Sequence, residues 1–149
     1  MKGFDPDYQN KIGVLITNLG TPDQPTKKSL RKYLKEFLSD SRVVDYNRVL
    51  WYFILYGIIL NIRPQKSAKL YKKIWTSKGS PLMVHMTEIV EKIQIAMNQK
   101  NLMIELGMRY GNPSLESALK KFKSNNVMNV LIIPLYPQAG SPTSSSTLD

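Results

Sequence analysis

The sequence IGVLITNL at residues 12–19 decides the fold, because its apolar, mostly branched side chains run without a break until Gly20 and Pro22. Such a run is typical of a strand that is buried on both faces, as in a parallel sheet. Two more strands are predicted at residues 103–110 and 127–135, and segments with helical spacing of apolar residues lie between the three. This order predicts an α/β fold in which a parallel sheet has helices on both faces.

The predicted helices have recognisable ends. Thr26 is a suitable N-cap for a helix at residues 27–38, and Ser80 followed by Pro81 predicts the start of a helix that runs to about Asn98. A further helix is expected at residues 114–122. The apolar segment at residues 47–62 is predicted to be helical and to stop at Pro64, with a separate short basic helix at residues 65–75.

Residues 49–60 are almost continuously apolar. Twelve residues are too few to cross a bilayer, which takes about 20. We therefore expect a buried helix here, with contact to a membrane surface as the alternative. Residues 1–11 lack the apolar core of a targeting signal, which favours a cytoplasmic protein, with membrane association at its surface left open.

Composition narrows the classes of protein. A length of 149 residues predicts a single domain, residues 1–149. The chain has no cysteine, which excludes disulfides, thiolate metal sites and cysteine nucleophiles within it. The net charge of +10 fits either solvated helix faces or attraction to an anionic partner. No nucleic-acid-binding motif accompanies that charge, so we expect no nucleic-acid partner.

Polar and aromatic side chains follow all three predicted strands, at residues 18–22, 109–113 and 136–138. Ligands of open α/β sheets bind outside the carboxyl ends of the strands, so these segments predict a ligand site. Neither of the glycine-rich phosphate-binding motifs, G-x-G-x-x-G and G-x-x-x-x-G-K-[ST], is present, so no nucleotide cofactor is expected. His85, the single histidine, lies on the apolar side of its helix and is expected to be a core or rim residue rather than a metal ligand or a base. The residues therefore predict no metal site and no complete catalytic constellation.

A flat, anionic, partly aromatic ligand fits the remaining residues best. Arg63 and Lys66 supply positive charge, and Ser80 opens a helix whose first amides favour an anion. Tyrosines offer apolar rings with polar tips, and they stand at positions 71, 110 and 136.

Five blocks of the sequence resemble ferrochelatases in order and spacing, and the resemblance runs from about Ile12 to the last residue. The blocks are NLGTPDQPT (residues 18–26), YLKEFLSDSRVV (33–44), RPQKSAKLYKKIWTSKGSPL (63–82), MRYGNPS (108–114) and PLYPQ (134–138). The resemblance implies that the whole protein inserts ferrous iron into protoporphyrin IX to form protohaem. It also implies two similar Rossmann-like domains around a porphyrin cleft, of which this chain is the first.

The resemblance assigns porphyrin-binding roles residue by residue. Leu19 would lie against the macrocycle, and an apolar lip that covers the cleft and can touch a membrane would include Leu34, Phe37 and Leu38. The propionates would be held by Arg63, Lys66, Tyr71 and Ser80. The inner cleft would contain Arg109, Tyr110 and Tyr136. The family's catalytic histidine and glutamate belong to its second half, so the resemblance implies no catalytic residue in this chain and little activity without the rest of the protein.

Several alternatives stay open at this point. A non-catalytic porphyrin- or haem-binding module fits the same residues, as does a chelatase for a cobalt or nickel tetrapyrrole, although small enzymes of that kind place a histidine where this chain has NLG. The resemblance also implies protoporphyrin rather than coproporphyrin, because Leu19 is aliphatic where coproporphyrin-using relatives tend to carry tyrosine. Family members tend to read YPQYS where this chain has Ala139 and Gly140 after Gln138, so this loop differs from theirs. Whether the protein carries an iron–sulfur cluster is left undecided.

Overall fold

The computed structural model describes residues 11–148. Residues 1–10, on which the prediction about targeting depends, lie outside the described residues. Within residues 11–148 a parallel three-stranded sheet has the order β2-β1-β3. Its strands are β1 (Ile12–Thr21), β2 (Leu102–Gly111) and β3 (Asn129–Pro134). In the register, Ile16 lies beside Leu106 on one side and beside Ile133 on the other. The predicted parallel α/β fold is confirmed, with β1 at the centre.

One helix packs on each face of this sheet. Helix α4 (Pro81–Met97) covers one face, where Met86 and Val90 form a core with Ile16, Ile104 and Met108. Helix α5 (Leu115–Ser124) covers the other face, where Phe122 contacts a second core centred on Leu15. Because consecutive side chains of β1 point to opposite faces, its unbroken apolar run supplies both cores.

The helices outside these cores pack on one another. Helix α1 (Lys27–Ser39) lies against a long helical segment made of α2 (Arg48–Ile54), a π-helical turn (Leu55–Ile59) and α3 (Leu60–Ile74). Leu34 and Leu38 of α1 form a third core with Leu55 and Leu60 of that segment. After β3, a second π-helical turn (Ser141–Ser145) leads into the short α6 (Ser146–Leu148).

The predicted N-caps are confirmed. The Thr26 hydroxyl accepts a hydrogen bond from the Ser29 amide at 3.3 Å, and the Ser80 hydroxyl accepts one from the Met83 amide at 3.2 Å. Each bond pairs an amide that the first turn of a helix leaves without an intrahelical partner.

The prediction that a helix stops at Pro64 is wrong, because Pro64 is buried inside α3. A proline has no N–H, so the carbonyl four residues earlier, that of Leu60, loses its helical partner. The guanidinium of Arg31 donates to this carbonyl, and it also donates to the Asn61 side chain at 2.9 Å. Helix α1 thus supplies the hydrogen bond that the proline removes, and the helix continues.

The prediction that residues 49–60 form a buried helix is wrong for most of them. Leu55 and Leu60 face α1 and are 0% and 1% exposed, whereas Phe53 is 73% exposed. The segment is apolar around its whole circumference, but the described residues cover only its inner side. No helix among the described residues is long and apolar enough to cross a membrane.

Candidate functional site

The carboxyl ends of β1 and β2 meet closely because each carries a glycine in the left-handed region. Gly20 has φ +103°, and a Cβ atom there would lie 1.8 Å from the carbonyl oxygen of Tyr110. Gly111 has φ +85°, and its Cβ would lie 2.7 Å from the carbonyl oxygen of Thr21. Only glycine adopts this conformation without cost and tolerates this approach. The NLG and RYG sequences therefore bring the two strand ends together.

Asp40, just beyond the end of α1, is the centre of a polar cluster at these strand ends. Its Oδ2 atom accepts hydrogen bonds from Arg109 Nη2 at 2.8 Å, from the Tyr110 hydroxyl at 2.7 Å and from the Ser146 hydroxyl at 2.7 Å. The Arg42 amide donates to Oδ1 at 2.8 Å. One carboxylate thus joins α1, β2 and α6.

The cluster holds Asp40 in its charged form. Burial alone would raise the pKa of Asp40, but hydrogen bonds from Tyr110, Ser146 and the Arg42 amide, together with the charge of Arg109, hold that pKa below its usual value. Burial, with the nearby Asp40 carboxylate, raises the pKa of Tyr110 to about 12. At neutral pH the cluster therefore contains a carboxylate, a guanidinium and a neutral phenol.

A cleft of about 530 Å³ opens beside this cluster. Its walls carry Glu36, Asp40, Arg48 and Arg109. Opposite charges face one another here, so the cleft is polar without a single dominant sign.

A second cleft, of about 300 Å³, lies at the start of α4. Ser80, Lys78 and Trp75 line it together with Thr21, whose buried hydroxyl has no hydrogen-bond partner in the part of the chain that the structure describes. The helix start and the lysine favour an anionic group in this cleft, whereas the Thr21 hydroxyl is buried behind its wall.

The predicted site residues on β1, β2 and the segment after β3 lie near one another at the strand ends. Leu19 is half-buried. Arg109 keeps 30% of its side chain exposed, whereas Tyr110 is 3% exposed. The hydroxyl of Tyr136 lies 2.8 Å from that of Thr147. The structure thus groups Arg109 and Tyr110 as predicted, but it places Tyr110 behind the surface.

The resemblance places Leu34 and Leu38 in an apolar lip that covers the cleft, and in the structure they are 8% and 7% exposed, in the core under α2. Phe37 is half-buried, and its ring meets that of Tyr110 edge-on at 5.2 Å. The exposed apolar surface lies one layer further out, on α2 and the π-helical turn. We call this surface the outer apolar face; it consists of Val49, Leu50, Phe53 and Ile58.

The predicted propionate residues are only partly brought together. Tyr71 lies against Trp75, with 6.2 Å between ring centroids, and Trp75 lines the same cleft as Ser80. Arg63 and Lys66 are exposed on α3, and neither lines either of the two clefts.

The prediction for His85 is wrong: 72% of its side chain is exposed, and its Nδ1 lies 3.7 Å from Glu88. The buried stripe of α4 runs through Met86 and Val90, one position further along the helix. Among residues 11–148, no three His, Cys, Asp or Glu side chains are grouped to hold a metal ion.

The ferrochelatase family model matches residues 11–149. The chain belongs to the ferrochelatase family. It is 48% identical to a ferrochelatase of Idiomarina loihiensis over 99% of this chain and 41% of that protein. Identity is 50% to one of Marinobacter nauticus, over 97% of this chain and 39% of that protein. Identity to a ferrochelatase of Chromobacterium violaceum is 48%, over 98% of this chain and 41% of that protein. This chain spans about two fifths of the length of these curated relatives.

Three residues that line or support the site were not predicted as site residues: Asp40, Ser146 and Trp75. In the sequence Asp40 only follows the end of a predicted helix, and its partner Arg109 is 69 positions away. Ser146 lies in a serine-rich stretch in which no position stands out. Trp75 follows the end of a helix, where an aromatic residue is ordinarily a packing residue. The one sequence signal near the second cleft is Trp75 shortly before Ser80 and Pro81.

Proposed function

We propose that the protein to which this chain belongs inserts ferrous iron into protoporphyrin IX to form protohaem, and that this chain forms one wall of the porphyrin cleft. The observation that carries the proposal is the gathering of NLGTP, RYGNP and the end of α1 at one sheet edge, in a chain that belongs to the ferrochelatase family. Family membership supports a tetrapyrrole as the substrate of that edge. The aliphatic Leu19 supports protoporphyrin.

The propionates are assigned to the side of the cleft near the start of α4. The second cleft offers Lys78 and the start of α4 at Ser80. Tyr71 and Trp75 supply aromatic surface next to it. Arg63 and Lys66 are free to turn towards a carboxylate, because exposed side chains of this length change rotamer readily.

The chemistry of metalation needs groups beyond this wall. Two pyrrole N–H protons must leave and a dication must lose water, which calls for a general base. His85 is exposed on α4, where its Nδ1 lies 3.7 Å from Glu88, and we assign it no part in this step. We place the base, with the family's catalytic histidine and glutamate, in a second, similar domain beyond residue 149.

The test is an insertion assay that measures loss of protoporphyrin and gain of protohaem under anaerobic conditions. The whole protein should convert protoporphyrin when ferrous iron is present, and the 149-residue chain should not. Turnover by the chain alone would contradict the placement of the base. Porphyrin binding without insertion by the whole protein would support a non-catalytic tetrapyrrole-binding module instead.

We also infer that the outer apolar face contacts a membrane surface. Phe53 and Val49 are 73% and 68% exposed, and cations flank them: Arg48 lies over the ring of Tyr52 at 5.2 Å and Lys35 over that of Tyr56 at 5.6 Å. An exposed apolar patch with basic neighbours is typical of peripheral binding to anionic lipid.

Co-sedimentation with vesicles tests this contact. Phe53→Ser should reduce binding to vesicles that contain phosphatidylglycerol. Ile95→Ser is the matched control, because Ile95 is 78% exposed on α4, on a different element. Equal loss of binding in the two variants would contradict the assignment to this face.

A further inference from the structure

We propose that Asp40 is a positioning residue of the tetrapyrrole site, and that it acts by holding the guanidinium of Arg109 in one orientation at the strand ends. This inference rests on the function proposed above. It adds a residue whose side chain is only 9% exposed and which therefore acts through its neighbours rather than by covering the ligand.

Two hydrogen bonds and a ring contact fix the Arg109 side chain. Its Nε donates to the Ser146 hydroxyl at 2.7 Å, and its Nη2 donates to Asp40 Oδ2 at 2.8 Å. Its guanidinium carbon lies 5.1 Å from the centroid of the Tyr110 ring. A planar group held at two of its nitrogens and against a ring has one orientation left to it.

Asp40 is the common acceptor for all the groups that hold this arginine. The hydroxyls of Tyr110 and Ser146 both donate to its Oδ2, at 2.7 Å each. Ser146 in turn accepts from Arg109 Nε, so the direction of its hydroxyl proton is set by the carboxylate. Loss of the negative charge would therefore loosen the ring contact, the serine and the guanidinium together.

The oriented arginine borders the first cleft. Arg109 and Asp40 both line it, together with Glu36 and Arg48 of α1 and α2. The remaining Arg109 N–H groups, which the cluster does not use, are the donors that this wall can offer to a bound tetrapyrrole. Fixing them before the ligand arrives lowers the cost of binding and of reaching the reactive geometry.

The experiment uses the whole protein and four variants: Asp40→Asn, Arg109→Lys, the two combined, and Asp45→Asn. Asp45 is an exposed carboxylate in the loop between α1 and α2, so its variant makes the same chemical change outside the cluster. The initial rate of iron insertion is measured against porphyrin and iron concentration, at a temperature where thermal unfolding shows every variant to be folded.

Asp40→Asn and Arg109→Lys should each lower kcat/KM about 10- to 100-fold, the range expected when a hydrogen bond to a charged group is lost. The combined variant should be no worse than the poorer single variant, because the two residues act as one unit. Asp45→Asn should keep the wild-type value. Additive losses in the combined variant, or a lowered Tm with unchanged kcat/KM in Asp40→Asn, would overturn the proposal.

If Asp40→Asn does not fold, Asp40→Glu tests the same claim, because it keeps the charge but moves the carboxylate away from its 2.8 Å bond to Arg109 Nη2. A wild-type kcat/KM in that variant would overturn the proposal equally. The experiment can refute the role of Asp40 without refuting the proposed function. A wild-type protein that inserts no iron refutes the proposed function and the role of Asp40 with it, whereas turnover that is insensitive to Asp40→Asn refutes the role of Asp40 alone.

Discussion

Replacement of Arg31 by methionine tests why helix α3 continues through Pro64. In the native chain the Arg31 guanidinium donates to the Leu60 carbonyl, which has no helical donor because Pro64 lacks an N–H. Hydrogen bonds to charged groups contribute about 1.5–3 kcal/mol when buried, and this one is partly open to solvent, so we expect Arg31→Met to cost about 1 kcal/mol. For a chain of this size that corresponds to a fall in Tm of about 3 °C.

The decisive comparison places the same change in a Pro64→Ala background. Pro64→Ala supplies the missing N–H, so the Leu60 carbonyl no longer depends on Arg31. The cost of Arg31→Met should then fall by about 1 kcal/mol, a coupling that a double-mutant cycle measures directly. Urea unfolding followed by circular dichroism gives the four free energies, and Lys32→Met, at the exposed neighbouring position, is the control. An equal cost of Arg31→Met in both backgrounds would refute the explanation.

Three further changes test the cores and the polar cluster. Leu55→Ala should lower the free energy of unfolding by about 2–4 kcal/mol in a urea titration, because Leu55 is fully buried where the π-helical turn packs on α1. A loss below about 1 kcal/mol would contradict tight packing of this core. The pKa of Asp40 lies below its ordinary 3.8, so its contribution to stability is present above that pH and is lost as the pH falls through the lowered pKa. In Asp40→Asn the free energy of unfolding should therefore decrease less steeply below about pH 4 than in the wild type. The same decrease in both proteins would contradict a charged Asp40. The pKa of Tyr110 rises from 10.0 to about 12, so the folded state is favoured below pH 10.0 and loses this contribution as the pH rises towards 12. Tyr110→Phe should remove that part of the alkaline loss, whereas identical alkaline unfolding curves would contradict the burial of the phenol.

The elements that the sequence predicted correctly are those with local causes. The unbroken apolar run of β1 reflects a strand with a core on each face. The capping roles of Thr26 and Ser80 depend on amides only three residues away. The parallel sheet follows because the connections between strands carry helices.

Two of the predictions that were wrong, those for Pro64 and for the apolar segment, depend on contacts between distant parts of the chain. Pro64 would end an isolated helix, but Arg31, far away in sequence, completes its hydrogen bonding. The apolar segment around Phe53 had no local feature to show which side a neighbour would cover. His85 was displaced from the core by a single position, since one residue along a helix turns the side chain by about 100°.

The candidate site was predictable in place but not in detail. The carboxyl ends of parallel strands lie at one edge, so Leu19 and Arg109 were expected to lie near each other. The organising role of Asp40 was not predictable, because it depends on Arg109, Tyr110 and Ser146, at 69, 70 and 106 positions from it.

If this chain forms a porphyrin-binding wall, an absorbance titration of protoporphyrin with the 149-residue chain will detect binding. We predict a saturable shift of the Soret band with one porphyrin per chain. Arg63→Ala combined with Lys66→Ala should weaken this binding, and Lys72→Ala combined with Lys73→Ala, on the same helix, should leave it unchanged. A Soret band that does not move over the whole titration would contradict the claim.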